Sequence, residues 1–474
     1  MQLETMESTM SDATRVSTRR RGVPARSTAL TALAVTTSLS LAACAGAGDS
    51  DSGKVTIWFD TQVANAEAWD QWKVYNVDPF VEANPDFRVD AVRVAADTQD
   101  QKQRVALAAG TGPDLITTAG PSSAVGYAAA GYLADLSEAA ERNNWAEDIL
   151  PWALDVGIVD GKLVMVPTEY ETLIVYYNKS LFDEHGWELP TDRASLEAFA
   201  ETAQGVGVIP FAAGNASWPA ATEWYVSAYL NQVAGPAALY GALTGEASWT
   251  DAPFRESIQM MKDDFDAGWH GGGVRQYFTT EDPQKYAALA DGSAAMMVSG
   301  SWELYALGDY FETDENDNEW DWAPLPGLSA GLPSEIFPLG VGMTLSANAG
   351  SENLDAAISY LEWKFSDPEV MWAATESIGQ APLPVRFEES DIPEGVDARI
   401  GRHYLEIAGV TDGAAVGYVS WTSFGPELGT YVVENADKVL TGDLDVDSFL
   451  AGMGDAHAAD SAAGLVPPVF AAGN

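Results

Sequence analysis

The chain reads as an α/β protein built in two parts, and three observations say so. Compact apolar stretches alternate with segments of helical periodicity, as in "KVTIWFD" at 54–60, a helical pattern at 67–83 and "FRVDAVRV" at 87–94; this is the pattern of strands and helices packed in layers. The length, 474 residues, exceeds the ~250–300 residues at which a single core stops growing, so two domains are expected. Beyond the first residues, nothing is long and apolar enough to approach the ~20 residues that span a bilayer.

Residues 1–43 are expected to be removed rather than folded. Arg15, Arg19, Arg20, Arg21 and Arg26 precede "STALTALAVTTSLSLAAC", a short apolar run rich in Ser and Thr that ends in small residues, which is the build of an export signal. Translation from Met1 or from Met10 leaves that reading unchanged. Cys44 is the single cysteine, so it forms no internal disulfide. Residues 44–53, ending "AGAGDSDSG", have the small, polar composition of a flexible tether.

From Lys54 the alternation begins. The first strand is followed by the 67–83 helix, the strand "FRVDAVRV", a helix over "TQDQKQRVALAAG", the strand "PDLITT" launched by Gly112-Pro113, and a helix ending at "AAAGYLADL". Further on, "LEAFAETA" places Leu196, Phe199, Ala200 and Ala203 on one helical face behind a cap at Thr191 or Asp192. "NLDAAISYLEWKF" repeats the pattern with Leu354, Ala357, Ile358, Leu361 and Phe365, and Pro368 marks its end. No fixed-period repeat is present.

The charge balance, 24 Lys+Arg against 70 Asp+Glu for a net −46, repels nucleic acid and anionic lipid and disfavours an anionic ligand. Most of these carboxylates are read as a solvated face. No metal and no cofactor is expected. The histidines His185, His270, His403 and His457 have no ligand spacing, and no Gly-rich phosphate loop followed by Lys occurs. In "ETDENDNEWDW" the spacing of Asp314, Asn316 and Asn318 imitates a calcium loop. Glu319, however, stands where the sharp turn needs glycine and Leu325 where the bidentate glutamate belongs, so the 312–321 stretch is read as an acidic turn.

Two enzyme readings need weighing. "HGGG" at 270–273 with Gly327-Leu328-Ser329-Ala330-Gly331 imitates an esterase oxyanion loop and nucleophile elbow. The elbow needs a strand into the serine and a helix out of it, whereas Pro324, Pro326 and Pro333 surround Ser329. The second reading pairs Glu169 and Glu171 as glycosidase carboxylates. In extended backbone they project from one face roughly 6.5–7 Å apart, inside the catalytic range. Catalytic carboxylates must flank the scissile bond from opposite sides, however, and neighbours on one strand approach from a single side. That geometry suits accepting hydrogen bonds from hydroxyls.

Several stretches resemble one family. "GKLVMVPTEYETLIVYYNKSLFDEHGWELPT" is similar to the crossing segment of the extracellular solute-binding proteins of ABC importers, in the maltose-binding-protein-like carbohydrate branch. "GTGPDLI", "GYLADL", "LADGSAAMMVSGSWEL", "PLGVGMTLSANAGSENLDAAISYLEWKFSDPEV" and "GQAPLPVR" match it in the family's order. Leu41-Ala42-Ala43-Cys44 resembles the lipobox of bacterial lipoproteins, which implies diacylation of Cys44 and anchoring to the outer face of the cytoplasmic membrane.

The resemblance implies an α/β, two-lobed periplasmic-binding-protein-like fold (type II), with a cleft between lobes joined by crossing hinge segments. Lobe 1 would comprise residues 54–172 plus 324–376, and lobe 2 residues 173–323 plus 377–474. It also implies a monomer that captures a sugar, performs no catalysis and hands its ligand to membrane permease subunits. A polyol, a glycerol phosphodiester or a peptide is the alternative ligand. Carried over by position, the ligand-binding residues are Asp60 and Gln62 after the first strand, Glu169, Tyr170 and Glu171 in the crossing segment, Glu223, Trp224 and Tyr225, the stacking residues Trp302 and Trp421, and Arg386 at the rim. Thr118 and Ser122 complete the ligand-binding set; they stand where the maltose-binding members carry a Trp and an Asp nearby, so one stacking surface is missing. The chemistry is compatible on its own terms: sugar faces call for flat aromatic platforms and sugar edges for polar partners, and the chain holds 16 tryptophans. Trp363 and Trp372, on amphipathic helices, are read as core.

Overall fold

The computed structural model describes residues 53–60, 66–94, 96–366, 368–410 and 415–471. Eleven strands occur among them: β1 (Lys54–Asp60), β2 (Arg88–Val94), β3 (Leu115–Thr118), β4 (Ile158–Val159), β5 (Lys162–Leu163), β6 (Val166–Asn178), β7 (Ile209–Phe211), β8 (Ala294–Gly300), β9 (Trp320–Ala323), β10 (Phe337–Ala347) and β11 (Val416–Tyr418). β4 and β5 form a small hairpin through Asp160-Gly161, both at positive φ as a tight two-residue turn requires. The other nine form one sheet in the order β2-β1-β3-β10-β6-β8-β7, with β11 on β10 and β9 on β6.

The sheet is parallel at β2-β1-β3, at β7-β8 and at β10-β11, and antiparallel where β10 meets β3 and β6 and where β6 meets β8 and β9. β6 carries the topology. Residues 166–172 pair with β10, whereas residues 173–177 pair with β8, so one continuous strand passes from one ladder to the next at Thr172/Leu173. β10 does the same in reverse, meeting β3 at Leu115–Thr118 and β11 at its first residues. The crossing segment's stretch "VPTEYE" is strand, the extended backbone on which the same-face pairing of Glu169 and Glu171 depends. Pro167 cannot donate to a ladder, and the irregularity between Met343 and Thr344 of β10 falls opposite it.

Helices cover both faces. The pattern at 67–83 is two helices, Ala66–Asn76 and Asp78–Ala83, because Pro79 ends one and starts the other. The helix Arg193–Gly205 is capped by Asp192, which accepts from Ser195 N at 2.8 Å, and buries Leu196, Phe199, Ala200 and Ala203. Asn178, closing β6, accepts from Leu181 N at 2.9 Å to cap the helix Lys179–His185 and donates to the Leu289 carbonyl at 2.9 Å. That double duty explains its place in "YYNKS". Pro368 opens a further helix, Pro368–Ile378, which packs on Ala66–Asn76. Its Trp372 is buried and Trp363 packs on Phe80 and Tyr360, as read from their amphipathic helices. The segment Leu383–Arg386 bonds to residues 148–150 through Leu150 N to the Pro384 carbonyl (2.8 Å) and Arg386 N to the Asp148 carbonyl (2.7 Å). No helix of the described residues is long and apolar enough to cross a membrane.

Candidate functional site

Because β6 is extended through residues 169–171, Glu169 and Glu171 share one face and Tyr170 takes the other. Tyr170 is fully buried, edge-on to Trp152 and Tyr404 at ring separations of 6.0 and 5.1 Å; it belongs to the core. Glu171 lies opposite Gly340 of β10. Its carboxylate occupies space left by Gly342, where an added Cβ would lie 2.4–2.7 Å from the carboxyl carbon and both oxygens. The Trp421 indole donates Nε1–H to Glu171 Oε2 at 2.8 Å. Burial pushes the Glu171 carboxyl up to about 7, against the opposing effect of that hydrogen bond. Glu169 is half-buried, and its charge acts on the phenols of Tyr305 and Tyr404.

Trp302 follows β8 directly. The turn there is tied to β6 by Ser301 N to the Thr172 carbonyl (2.9 Å) and Thr172 N to Ser301 Oγ (3.3 Å). The indole folds back over Gly300, where a Cβ would meet three ring carbons at 2.1–2.3 Å, so only glycine admits this ring position. Trp302 meets Trp224 at 5.1 Å with planes at 57°, and Trp421 at 5.7 Å with planes at 67°. Behind Trp224, Lys285 Nζ stands 5.7 Å from the ring, bonded to Asp282 (2.9 Å) and Glu303 (3.4 Å). Glu303 also accepts from Ser299 Oγ at 2.8 Å.

Trp224 and Glu223 sit on the helix Thr222–Tyr229. Glu223 is 8% exposed and accepts from Ser420 Oγ at 3.2 Å; burial pushes it up to about 7 as well. Ser420 N donates to Ser227 Oγ of the same helix at 2.8 Å, which seats the short helical turn Ser420–Ser423 carrying Trp421. From the other side Ser122 donates to the Phe424 carbonyl. Five expected residues are thus joined in a closed set of contacts: Glu171 to Trp421, Trp421 to Trp302, Trp302 to Trp224, and Glu223 through Ser420 back to the Trp421 turn. The set offers tilted indole faces, with the Glu171 carboxylate at the edge of Trp421. Among the described residues the ammonium recorded against it, Lys285, is bonded to two carboxylates.

The remaining expected residues lie elsewhere. Thr118 is buried at the end of β3, donating to the Gly120 carbonyl at 3.1 Å and bonded to Thr344 Oγ1 at 2.6 Å. Tyr225 packs against Phe265, His270 and Tyr277, and with Tyr229, Phe211 and Met296 it lines an apolar cavity of about 30 Å³. Arg386 is exposed and donates to the Glu147 carbonyl at 3.1 Å. Asp60 closes β1, but its side chain, with Gln62 and Cys44, lies outside the described residues. His270 is bonded to Tyr229 Oη at 2.9 Å, and Ser329 sits in irregular backbone without a strand before it or a helix after it. In the acidic turn Asn316 Nδ2 donates to the Ala290 and Tyr310 carbonyls at 3.0 Å each. No group of three metal-ligating side chains occurs among the described residues.

Sequence reasoning missed Ser420, Ser227 and Lys285, and nothing in their local sequence marks them. Gly300 and Gly342 did carry a signal: glycine inside or at the end of a strand marks close approach of another group.

Residues 51–371 match the family described as "Bacterial extracellular solute-binding protein". The chain is similar to a maltotriose-binding protein of Pyrococcus abyssi (strain GE5 / Orsay), 24% identical over 346 residues, 72% of this chain and 69% of that protein. It is also similar to a probable sugar-binding periplasmic protein of Mesorhizobium japonicum, 25% identical over 185 residues, 39% of this chain and 41% of that one; the chain thus spans less than half of the latter's length. Among solved structures, a chitin oligosaccharide binding protein superposes with a TM-score of 0.71 at 19% identity, over 87% of this chain and 100% of that one. The GacH receptor of Streptomyces glaucescens GLA.O superposes with a TM-score of 0.65 at 25% identity, over 86% and 97%. The fold they share with this chain is the two-lobed type II arrangement.

Proposed function

The chain belongs to the bacterial extracellular solute-binding proteins, and from that premise we propose that it is the sugar-capturing component of an ABC importer. It closes its two lobes around a sugar or oligosaccharide and delivers the closed form to the membrane permease, without bond chemistry. A ligand shifts open lobes to closed by its differential affinity for the closed state. The observation that carries the reading is the joined set of Trp224, Trp302 and Trp421, with Glu171 bonded to the Trp421 edge and Glu223 bonded to the turn that carries Trp421. Sugar rings present C–H faces to indoles and hydroxyls to the polar groups around them. The names of the similar proteins, which bind maltotriose and chitin oligosaccharide, support it.

In this reading lobe 1 is residues 54–172 plus 324–376 and lobe 2 is residues 173–323 plus 377–474, with Leu383–Arg386 drawn back toward residues 148–150. Diacylated Cys44 tethers the monomer to the outer face of the cytoplasmic membrane; two acyl chains anchor durably. Replacing Cys44 with serine then moves the protein from the membrane fraction to the medium.

The test is a thermal-shift screen of the purified chain against maltotriose, chitotriose and xylotriose, with polyols, glycerol phosphodiesters and peptides alongside. A ligand that binds only the folded state raises the melting temperature. A shift with a saccharide supports the proposal; a shift confined to one of the other classes replaces it.

A further inference from the structure

We propose that Glu171 is a positioning residue: it sets the plane of the Trp421 indole through the Nε1–H to Oε2 hydrogen bond and does not itself receive the ligand's hydroxyls. The proposal rests on the sugar-binding reading above, but it concerns the free protein first, which allows the two to be tested apart.

Three observations carry it. The contact is short and direct, 2.8 Å, and an indole has one N–H that only donates. Once given to Glu171, that N–H is closed to a ligand, and Trp421 is left as a face. Second, the carboxylate is lodged against backbone. An ideal Cβ on Gly342 would come within 2.7 Å of both its oxygens, so the acid occupies a notch in β10 that any other residue would fill. Third, two constraints are needed to define a ring's tilt, and both are present. Trp302 meets the Trp421 ring at 5.7 Å and 67°, while Glu171 holds its nitrogen edge to β6.

The arrangement differs at Glu223, whose partner is the Ser420 hydroxyl at 3.2 Å. A hydroxyl rotates and both accepts and donates, so this second acid can exchange its partner for a ligand hydroxyl. The two carboxylates thus differ in partner, Glu171 orienting the Trp421 ring and Glu223 bonded to the turn that carries it.

A ligand-free measurement comes first. In protein labelled with ¹⁵N-tryptophan, the indole N–H resonance of Trp421 is assigned by its absence in Trp421→Phe. Glu171→Ala and Gly342→Ala should both shift or broaden it, and Glu171→Gln, which keeps an acceptor oxygen, should move it less. A Trp421 resonance unmoved in Glu171→Ala overturns the proposal whether or not any sugar binds.

The second measurement is a double-mutant cycle by titration calorimetry, using whichever of maltotriose, chitotriose and xylotriose shifts the melting temperature most. Glu171→Ala should weaken binding about tenfold in the wild-type background and by less than about twofold in Trp421→Phe. Losses that multiply would mean Glu171 touches the ligand independently, which overturns the assignment and leaves sugar binding intact. If no saccharide binds, the sugar reading fails while the resonance measurement still decides the role of Glu171.

Discussion

Glu171 shows how much a single position discloses before its neighbours are known. Its strand placement and half-buried character follow from "VPTEYETLIVYY", but its partner lies 250 residues later, and no local pattern announces Trp421 as the donor. The same burial gives a pH prediction. The carboxyl sits at about 7 in the folded protein against an ordinary 4.5, so between those values the folded state keeps a proton that the unfolded chain releases. Stability therefore falls as pH rises through this window and stays lower above it. His270 and His403 act oppositely: burial lowers them from 6.5 to about 3, and their stabilisation is lost as pH falls below 6.5. The comparison is thus best made as a difference. Relative to Glu171→Gln, the wild type should gain about 2 kcal/mol between pH 8 and pH 5 in chemical denaturation, and a flat difference would place the proton elsewhere. For the platform itself, Trp302→Ala should weaken saccharide binding by about 1–3 kcal/mol in calorimetry. Gly300→Ala, which drives a methyl into the same ring, should act in the same direction.

At the scale of elements, the helix and strand alternation was legible wherever side chains face a core with a clean period. The Arg193–Gly205 helix and its Asp192 cap are such a case. What stayed illegible was register and continuity. Pro167 and two glutamates interrupt the apolar run at residues 166–172 of β6 and hide its ladder partner; β10 meets the proline with an irregularity, and Glu171 lies against Gly340 and Gly342. The π-helical turn Leu230–Ala234 is another example. Its Asn231 donates to the Ser227 and Tyr418 carbonyls at 2.7 Å and accepts from Tyr418 N at 3.0 Å, clasping β11 to the helix that bears Glu223. Asn231→Leu leaves those buried backbone groups unpaired and should cost about 2–4 kcal/mol in denaturant unfolding. Because β11 leads directly into the Trp421 turn, ligand affinity should fall with it; unchanged affinity would mean the turn is held by Ser227 and Glu223 alone.

For the whole molecule, charge sets which partners are disfavoured. A net charge of −46 means self-repulsion that dissolved salt screens, so the melting temperature of the free protein should rise between 20 and 300 mM NaCl (about one Debye length shortening from 20 to 6 Å). A neutral saccharide's affinity should be nearly salt-independent over that range, whereas a steep loss would point to a cationic ligand. The family motifs single out Glu171, Trp302 and Trp421, which the fold brings together, and also Tyr170 and Tyr225, which pack among other aromatic rings; aromatic size suits a core as well as a cleft. Motif position alone cannot tell the two apart. The strand sharing also bears on how the chain is made. β3 at 115–118 finds its antiparallel neighbour only at 344–347. A nascent chain emerging from the synthesis machinery therefore carries an open sheet edge through more than two hundred residues of elongation. Until β10 arrives that edge is free to mispair, and completion of the sheet waits on it.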